Sequence, residues 1–125
     1  MDKLLKIDNI MYRVKSLEQA TNFYRDILGL QQIWKDEKRK MVSFVFDQSD
    51  TEIVIHSDPD LPDFDFSFLV ESVESFCEKF QAQGYKILFQ PADVRCGKYA
   101  VLADLDGNKI PIIDLTKFGG KAKYG

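Results

Sequence analysis

Along the first half of the chain, the spacing of apolar residues changes from that of a strand to that of a helix and back to that of strands. Lys6 to Val14 alternate with period two, which predicts a β-strand. A helical period follows between Ser16, placed as an N-cap, and Gly29, placed as a left-handed C-cap. Strand-like segments separated by polar turns then cover residues 31–34, 41–46 and 51–56. The first half therefore predicts the order βαβββ.

The predicted helix of the first half carries one apolar stripe. Its members recur at the three- and four-residue spacing of a single helix face: Leu17, Ala20, Phe23, Tyr24, Ile27 and Leu28. A stripe of this kind is the face that a helix turns toward a sheet.

The second half repeats the same order of elements. A strand over 65–70 leads to Ser72 as an N-cap, and Gly84 takes the C-cap position. The helical stripe between them consists of Val73, Phe76, Cys77 and Phe80, and strand-like segments over 85–89, 99–103 and 109–115 follow. Val14 to Glu18 lie over Val70 to Glu74 when the halves are aligned, so the chain predicts two copies of one module.

Composition sets the boundaries of the modules. We place them at about 6–56 and 64–117, joined by a linker over 57–63 that holds Pro59, Pro62 and three aspartates. Residues 1–118 are expected to form a single domain, and residues 119–125 a flexible tail. The acidic linker lacks the glycine and the final glutamate of an EF-hand loop, which favours a solvated segment over a calcium site.

Each module covers only one face of its sheet with a helix. The other face has to be buried or to surround a cavity, and two such sheets side by side can enclose a cleft. The pattern therefore predicts an α+β fold in which two βαβββ modules form curved mixed sheets around a cleft. A cleft of this kind is the expected ligand site.

Strand alternation assigns side chains to the two faces. Ile53 and Ile55 are the β-branched pair of their segment and are predicted to face the helix, and the same reasoning buries Ile10, Tyr12, Val14, Phe66 and Phe68. The cleft side then receives Asn9, Met11, Arg13, Glu52, Val54, His56, Asp65 and Ser67.

Two segments resemble a known family. They are VKSLEQATNFYRDILGL, from Val14 to Leu30, and ADLDGNKI, from Ala103 to Ile110, in which Asp-Gly-Asn favours a tight turn between strands. Together with the duplicated βαβββ frame, they are similar to the vicinal-oxygen-chelate superfamily of glyoxalases, bleomycin resistance proteins and extradiol dioxygenases. The resemblance covers about residues 6–115, and it implies the fold more strongly than an activity.

The resemblance also implies where a metal would be bound. The four ligand positions of the family fall on Asn9, Glu52, Asp65 and Pro111, and of these only Glu52 matches the family pattern. Proline offers no side-chain ligand and no backbone N–H, so Pro111 also suggests an edge or bent strand. Several converging imidazoles or carboxylates are needed for a transition metal, so we expect no cofactor.

A displaced metal site is the alternative. His56, the single histidine, shares a predicted strand face with Glu52, and Asp65 could complete a set of three. Neighbours four residues apart on a strand are roughly 13 Å apart, which disfavours this divalent site.

Several residues are candidates for holding a ligand. Glu52 could act as a general base, although a salt-bridged carboxylate at the rim is the simpler interpretation. Arg13, Arg95 and Lys98 could hold an anion, with ordinary surface charge as the simpler interpretation for Lys98. The aromatic residues Trp34, Phe44, Phe46 and Phe89 could stack on a planar ligand, but packing is the more common role. The predicted binding set is Asn9, Met11, Arg13, Glu52, His56, Asp65 and Arg95.

Charge and hydropathy narrow the possible partners. A net charge of −3 argues against nucleic acid, and no apolar run has the length of a signal peptide or membrane span. Cys77 and Cys96 lack a metal-binding spacing and are expected to be a core thiol and a loop thiol. We therefore expect a cytoplasmic protein.

Three functions remain after these exclusions. The first is a metal-free module that binds a small molecule, similar to the bleomycin resistance proteins. The second is a metal-dependent lyase, isomerase or dioxygenase similar to glyoxalase, and the third is a regulatory partner without a small ligand. The resemblance implies a homodimer, and 10 phenylalanines in so short a chain leave apolar surface for a partner to cover.

Overall fold

The computed structural model describes residues 2–119, which form two compact units. The first module comprises Asp8–Phe66, and the second comprises residues 2–7 together with residues 67–119. Except for Gly119, the predicted tail lies outside the described residues.

The first module contains four strands and one helical region. Their bounds are β1 Lys6–Arg13, α1 Leu17–Asn22, a π-helical segment Phe23–Ile27, β2 Gln31–Asp36, β3 Met41–Phe46 and β4 Ser49–His56. The strands lie in the order β2-β3-β4-β1. The β1 and β4 strands are parallel, whereas the other neighbours are antiparallel, which makes the sheet mixed.

The second module repeats this arrangement. Its elements are β5 Phe64–Leu69, α2 Val73–Ala82, β6 Ile87–Asp93, β7 Lys98–Ala103, β8 Lys109–Ile113 and a 3-10 turn Thr116–Phe118. The first three residues of β5 belong to the first module. The strand order is β5-β8-β7-β6, with β5 and β8 parallel. The predicted α+β fold of two βαβββ modules is confirmed. None of the helices in residues 2–119 is long and apolar enough to cross a membrane.

The N-terminal segment packs on the second module rather than on the first. The backbone N–H of Leu5 donates to the carbonyl of Leu69 at 2.8 Å. Asp2 accepts a hydrogen bond from the Ser75 hydroxyl at 3.2 Å and lies 3.5 Å from the Lys79 ammonium. These contacts attach residues 2–5 to β5 and α2.

The helix of the first module departs from its prediction. Ser16 caps it as expected, with its hydroxyl accepting from the Gln19 N–H at 3.2 Å, but the α-helix ends at Asn22. The chain continues as a π-helix, closed by a 3.1 Å bond from the Leu28 N–H to the Phe23 carbonyl. The predicted α-helix up to Leu28 is therefore wrong.

An extra residue explains the π-helical segment. Thirteen positions separate the cap Ser16 from Gly29, whereas twelve separate Ser72 from Gly84. Both glycines adopt positive φ, at 76° and 89°, so each helical region as a whole stops at its predicted glycine. One wide turn accommodates the additional residue between the same two end points.

The wide turn changes which side chains reach the core. Leu17, Ala20 and Tyr24 pack against the buried residues Val42, Phe44, Ile53 and Ile55 of the sheet, together with Ile10, Val14 and Leu30. Phe23, Ile27 and Leu28 instead remain 49%, 71% and 53% exposed, so the predicted stripe is wrong at these three positions. Tyr12 is also misplaced by the prediction, because it is 37% exposed and lies against Phe64.

The strand that carries Pro111 is not an edge. In the second module β8 lies between β5 and β7, which corrects the edge expected from this proline. Its pairing with β5 involves Ile112 and Ile113, one residue beyond Pro111, so the missing N–H falls outside that ladder. The strand can therefore be internal while containing a proline.

One buried carboxylate joins three parts of the second module. Asp114 is 1% exposed, and its Oδ2 accepts from the Val73 N–H at 2.7 Å, at the first turn of α2. Its Oδ1 accepts from the Lys98 N–H at 2.9 Å and from the Thr116 hydroxyl at 2.7 Å. A β-carbon on Gly97 would lie 2.0 Å from that oxygen, so the loop fits closely around it.

Asp114→Asn should destabilise the protein, because an amide nitrogen would replace an acceptor that faces backbone donors. We expect a loss of about 2–3 kcal/mol in the free energy of unfolding and a fall in Tm of roughly 10 °C. Denaturant unfolding checks this, with Glu78→Gln on the exposed side of α2 as the control. Equal stability of the two variants would contradict the structural role of the carboxylate.

Candidate functional site

The sheet of the first module has one face turned away from α1, which we call the helix-free face. Strand register sets its members, because Asn9 pairs with Glu52, Met11 with Val54, and Arg13 with His56. Ser43 joins them from β3 as the partner of Val54. The opposite positions Ile53 and Ile55 lie in the helix-side core, as strand alternation predicts.

Glu52 is the most enclosed charged residue of this face, at 1% exposure. Its Oε1 accepts a 2.5 Å hydrogen bond from the Ser43 hydroxyl and a 2.9 Å hydrogen bond from the indole N–H of Trp34. Trp34 and Ser43 are themselves cross-strand partners on β2 and β3. The carboxylate therefore fixes the orientation of the single tryptophan.

His56 is fully buried and bonded through both ring nitrogens. Its Nδ1 accepts from the Asp58 N–H at 3.1 Å, so the proton of a neutral ring lies on Nε2. Nε2 then donates to the Pro62 carbonyl at 2.7 Å. The histidine thus holds the linker in place.

Arg13 serves the same linker. Its guanidinium donates to the Leu61 carbonyl and, at 3.5 Å, to the Pro59 carbonyl. Its own backbone N–H donates to the carbonyl of Asp63 at 3.0 Å. Three bonds from one arginine leave the acidic linker fastened to the end of β1.

The other predicted binding residues have more local contacts. Asn9 is half-buried, and its side-chain amide donates to the buried Asp8 carboxylate at 2.8 Å. Asp65 is half-buried and accepts from the Phe66 N–H at 2.9 Å. Met11 is half-buried on the helix-free face. These residues are more accessible than Glu52.

Two basic candidates, Arg95 and Lys98, belong to the second module. Arg95 is exposed and lies over the ring of Phe118, 5.6 Å from its centroid. Lys98 lies 3.0 Å from the Asp93 carboxylate. That hydrogen bond, supported by the charge of Lys117, holds the pKa of Asp93 below its ordinary value.

The aromatic candidates are divided between the core and the surface. Phe44 is fully buried and stacks on Tyr24 in the helix-side core. Phe46 and Phe89 are 39% and 51% exposed, and Phe89 lies near Tyr99. Of the four predicted stacking residues, Trp34 has the contact to the helix-free face that a binding role requires.

Sequence reasoning missed two partners of this site. Ser43 was not singled out, although a hydroxyl within the apolar run of β3 is a signal that a buried partner must exist. Trp34 was considered for its ring, whereas its N–H carries the contact with Glu52. Alternation places such residues on a face, but it does not show which donor meets which acceptor.

The residues present do not fit the metal site that the family resemblance implies. Within residues 2–119, no three histidine, cysteine, aspartate or glutamate side chains converge on a point where a metal could be held. Both His56 nitrogens are used by the linker, and Glu52 Oε1 already has two donors. These side chains are therefore already used for contacts within the first module.

The second module contains one small cavity among its described residues. It has a volume of about 50 Å³ and lies in the second module, between the N-terminal segment and the start of α2, where Leu5, Ser72 and Phe76 line it. Pockets for drug-sized ligands have volumes of roughly 300–1,000 Å³, so this cavity is too small for one.

Residues 6–112 match the model of the glyoxalase/bleomycin resistance protein/dioxygenase superfamily. The chain belongs to this superfamily. No curated protein sequence matches it closely enough to identify a relative. The family assignment agrees with the duplicated frame and with the DGN turn between β7 and β8.

Solved structures of the superfamily show the same fold. Methylmalonyl-CoA epimerase from Mycobacterium tuberculosis has a TM-score of 0.67 at 14% identity, over 89% of this chain and 88% of that one. A superfamily member from Vibrio splendidus 12B01 has a TM-score of 0.57 at 12% identity, over 91% and 99% of the two chains. The Mn(II)-bound glyoxalase from Novosphingobium aromaticivorans has a TM-score of 0.62 at 20% identity, over 91% of this chain and 40% of that one. At these identities the similarity shows the fold alone.

Glu52→Ala should leave the Ser43 hydroxyl and the Trp34 indole without their acceptor. We expect a loss of about 2–4 kcal/mol in the free energy of unfolding, whereas Glu52→Gln, which keeps an acceptor oxygen, should lose less than half as much. Denaturant titration followed by circular dichroism measures both. A Glu52→Ala variant as stable as the wild type would contradict the hydrogen-bonded arrangement.

Proposed function

We propose that this protein is a metal-free member of the superfamily that binds and sequesters a small molecule on the helix-free face of its first module. The observation that supports this most directly is the contact of Glu52 with Trp34 and Ser43. Glu52 falls on a metal-ligand position of the family, and here it orients the Trp34 side chain through a hydrogen bond. The carboxylate thus has a positioning role that needs no metal.

Accessibility indicates which residues contact the ligand. Trp34, Met11 and Asn9 are half-buried, whereas Glu52 and His56 are at most 1% exposed. An indole ring and a thioether provide apolar contact, and an amide provides directional hydrogen bonding, which is the usual composition of a small-molecule site. Glu52 acts through Trp34, and His56 and Arg13 act by holding the linker.

We also propose that the protein is cytoplasmic. Cys77 and Cys96 are both buried and are thiols rather than halves of a disulfide. Buried thiols of this kind are typical of proteins in reducing compartments. A homodimer, which the family resemblance implies, is part of the proposal.

The metal-free state can be tested on protein purified without an affinity tag. After dialysis, elemental analysis should find far less than one zinc, nickel, manganese or iron per chain. Added Zn²⁺ or Mn²⁺ should leave Tm within about 1 °C of the chelator-treated sample, because a metal that does not bind the folded state cannot stabilise it. A near-stoichiometric metal, or a large metal-dependent rise in Tm, would favour the metal-dependent lyase, isomerase or dioxygenase instead.

Ligand binding can be tested by a thermal-shift screen of small acidic, basic and neutral compounds. A compound present at 100 times its Kd should raise stability by about 2.7 kcal/mol, a readily measured change in Tm. The shift should be lost in Trp34→Leu and Asn9→Leu and kept in Leu105→Ala, which changes a leucine that is 86% exposed in the β7–β8 turn. The proposal fails if compounds bind equally well to all three variants.

A further inference from the structure

The fully buried ring of His56 holds the linker in one protonation state. Its Nδ1 accepts from the Asp58 N–H at 3.1 Å, and its Nε2 lies 2.7 Å from the Pro62 carbonyl oxygen, which can only accept. Both bonds are made together by the neutral ring with its proton on Nε2. A second proton would have to lie on Nδ1, where it would point at the Asp58 N–H. The contact with Asp58 is therefore lost when the ring is charged.

Backbone hydrogen bonds fix the two ends of the linker independently of the ring. At its start, the Ser57 N–H donates to the Lys40 carbonyl at 3.1 Å, and at its end the Asp63 carbonyl accepts from a β1 N–H at 3.0 Å. Between these ends, the Asp58 carbonyl accepts from the N–H three residues later at 3.2 Å. This bond closes a turn over residues 58–61, which we call the linker turn. The ring holds the first residue of the linker turn, so a change at the ring acts there and leaves the ends attached.

The strands beside His56 bring a cation to it. Arg13 is its partner on β1, and the uncharged Met41 is its partner on β3. The Arg13 guanidinium donates to the Leu61 carbonyl, at the end of the linker turn. Lys40 precedes β3 and is exposed. A charged ring would therefore be a second cation opposite Arg13, in a position that solvent does not reach.

The nearby carboxylates have other contacts or lie in solvent. They belong to the linker and to β4 itself: Asp58, Asp60, Asp63 and Glu52. The Asp58 carboxylate accepts from the Asp60 N–H at 2.9 Å within the linker turn, and Asp60 and Asp63 are exposed, where salt and water screen their charge. Glu52 lies four residues from His56 along the strand, roughly 13 Å away, and accepts from its own two donors. With these contacts in place, a backbone N–H rather than an acceptor faces Nδ1 of the ring.

The second module holds the corresponding loop without a histidine. In the first module, the Val14 N–H donates to the His56 carbonyl at 2.8 Å. The Val70 N–H donates to the Ile113 carbonyl at 2.9 Å in the same way, so Ile113 takes the place of His56. The next residue, Asp114, holds the loop through its carboxylate. The pKa is ordinarily about 4 for a carboxylate and about 6.5 for an imidazole, so of these two anchors the histidine is the one suited to respond near neutral pH.

We infer that His56 makes the linker sensitive to pH: uptake of one proton by its ring releases the linker turn from the first module. The released form binds one proton more than the held form, so acidification favours release. For a histidine that is protonated only in the released form, the released fraction rises about tenfold between pH 7.5 and 5.5. The strands keep their pairing, because their ladders are backbone hydrogen bonds. This behaviour is independent of ligand binding.

Amide hydrogen exchange of the complete chain, followed by NMR at about pH 7.5 and 5.5, tests the inference. The protection factor, which corrects for the intrinsic effect of pH on exchange, should fall about tenfold at the Asp58 amide. The Val73 amide, which donates to Asp114, is the internal control and should keep its protection, as should the paired amides of β3 and β4. Unchanged protection at Asp58 would overturn the inference. A fall shared with the control amides would do the same, because it would show unfolding of the chain rather than release of one turn.

The ring itself gives a second readout. The chain contains one histidine, so its ring signals need no assignment. Nitrogen-15 NMR of the ring should show the neutral form with its proton on Nε2 at about pH 7.5, and the ring should become charged over the pH range in which Asp58 loses protection. A proton on Nδ1 at the higher pH contradicts the arrangement on which the inference depends.

A matched pair of variants identifies the group that titrates. His56→Gln keeps a neutral side chain that can hydrogen-bond, and its Asp58 protection should be equal at both pH values within about twofold, whatever its absolute level. Met41→Leu changes the neighbour on β3 but keeps the histidine, so the tenfold response should remain. A tenfold response that persists in His56→Gln would assign it to another group and sink the inference. Thermal melts establish that each variant is folded, and if His56→Gln is not, the ring and amide measurements on the wild type decide.

Discussion

Ile53 and Ile55 pack beneath the helical region of the first module, and successive side chains of a strand point to opposite faces. Glu52, Val54 and His56 are consequently fixed on the other face, and the parallel register brings Asn9, Met11 and Arg13 beside them. The helix-free face therefore depends on the burial of a few aliphatic side chains. Its polar residues occupy positions that the core has already determined.

The buried polar side chains of the described residues are hydrogen-bonded, and their partners explain much of the loop structure. His56 holds the linker, Glu52 holds Trp34, and Asp114 connects α2 to two loops. Leaving such a group unsatisfied costs about 1–3 kcal/mol, so each contact constrains the local chain path. Within residues 2–119, no buried side-chain nitrogen or oxygen lacks a hydrogen bond.

The repeat, the order of elements and the faces of β4 could be predicted from the sequence, because caps, terminal glycines and alternation are local signals. The π-helical segment could not, since the pattern of Leu17, Ala20, Tyr24 and Ile27 fits a regular helix equally well. The extra residue became informative only when the spacing from Ser16 to Gly29 was compared with that from Ser72 to Gly84. Tertiary pairing likewise decided the place of Pro111, which pairs with Val101 of β7 but precedes the first residue of β8 that pairs with β5.

For the candidate site, residue types and strand faces were predictable and the hydrogen-bond partners were not. His56 was expected beside Glu52 as a ligand, yet its ring is used by Asp58 and Pro62, which lie only a few residues away. Such contacts depend on the path of an irregular linker, and periodicity carries no information about it. The metal-free interpretation rests on these partners as well as on the substituted family positions.

The attachment of the N-terminal segment to the second module has a consequence for folding during synthesis. The first module is continuous in sequence, over Asp8–Phe66, and can complete its own contacts as soon as those residues leave the ribosome. Leu5 and Asp2 must wait for Leu69 and for Ser75 to be made. At ribosomal rates of roughly 5–20 residues per second, this delay lasts several seconds. Residues 2–5 can therefore make their native contacts only after the whole first module has been synthesised.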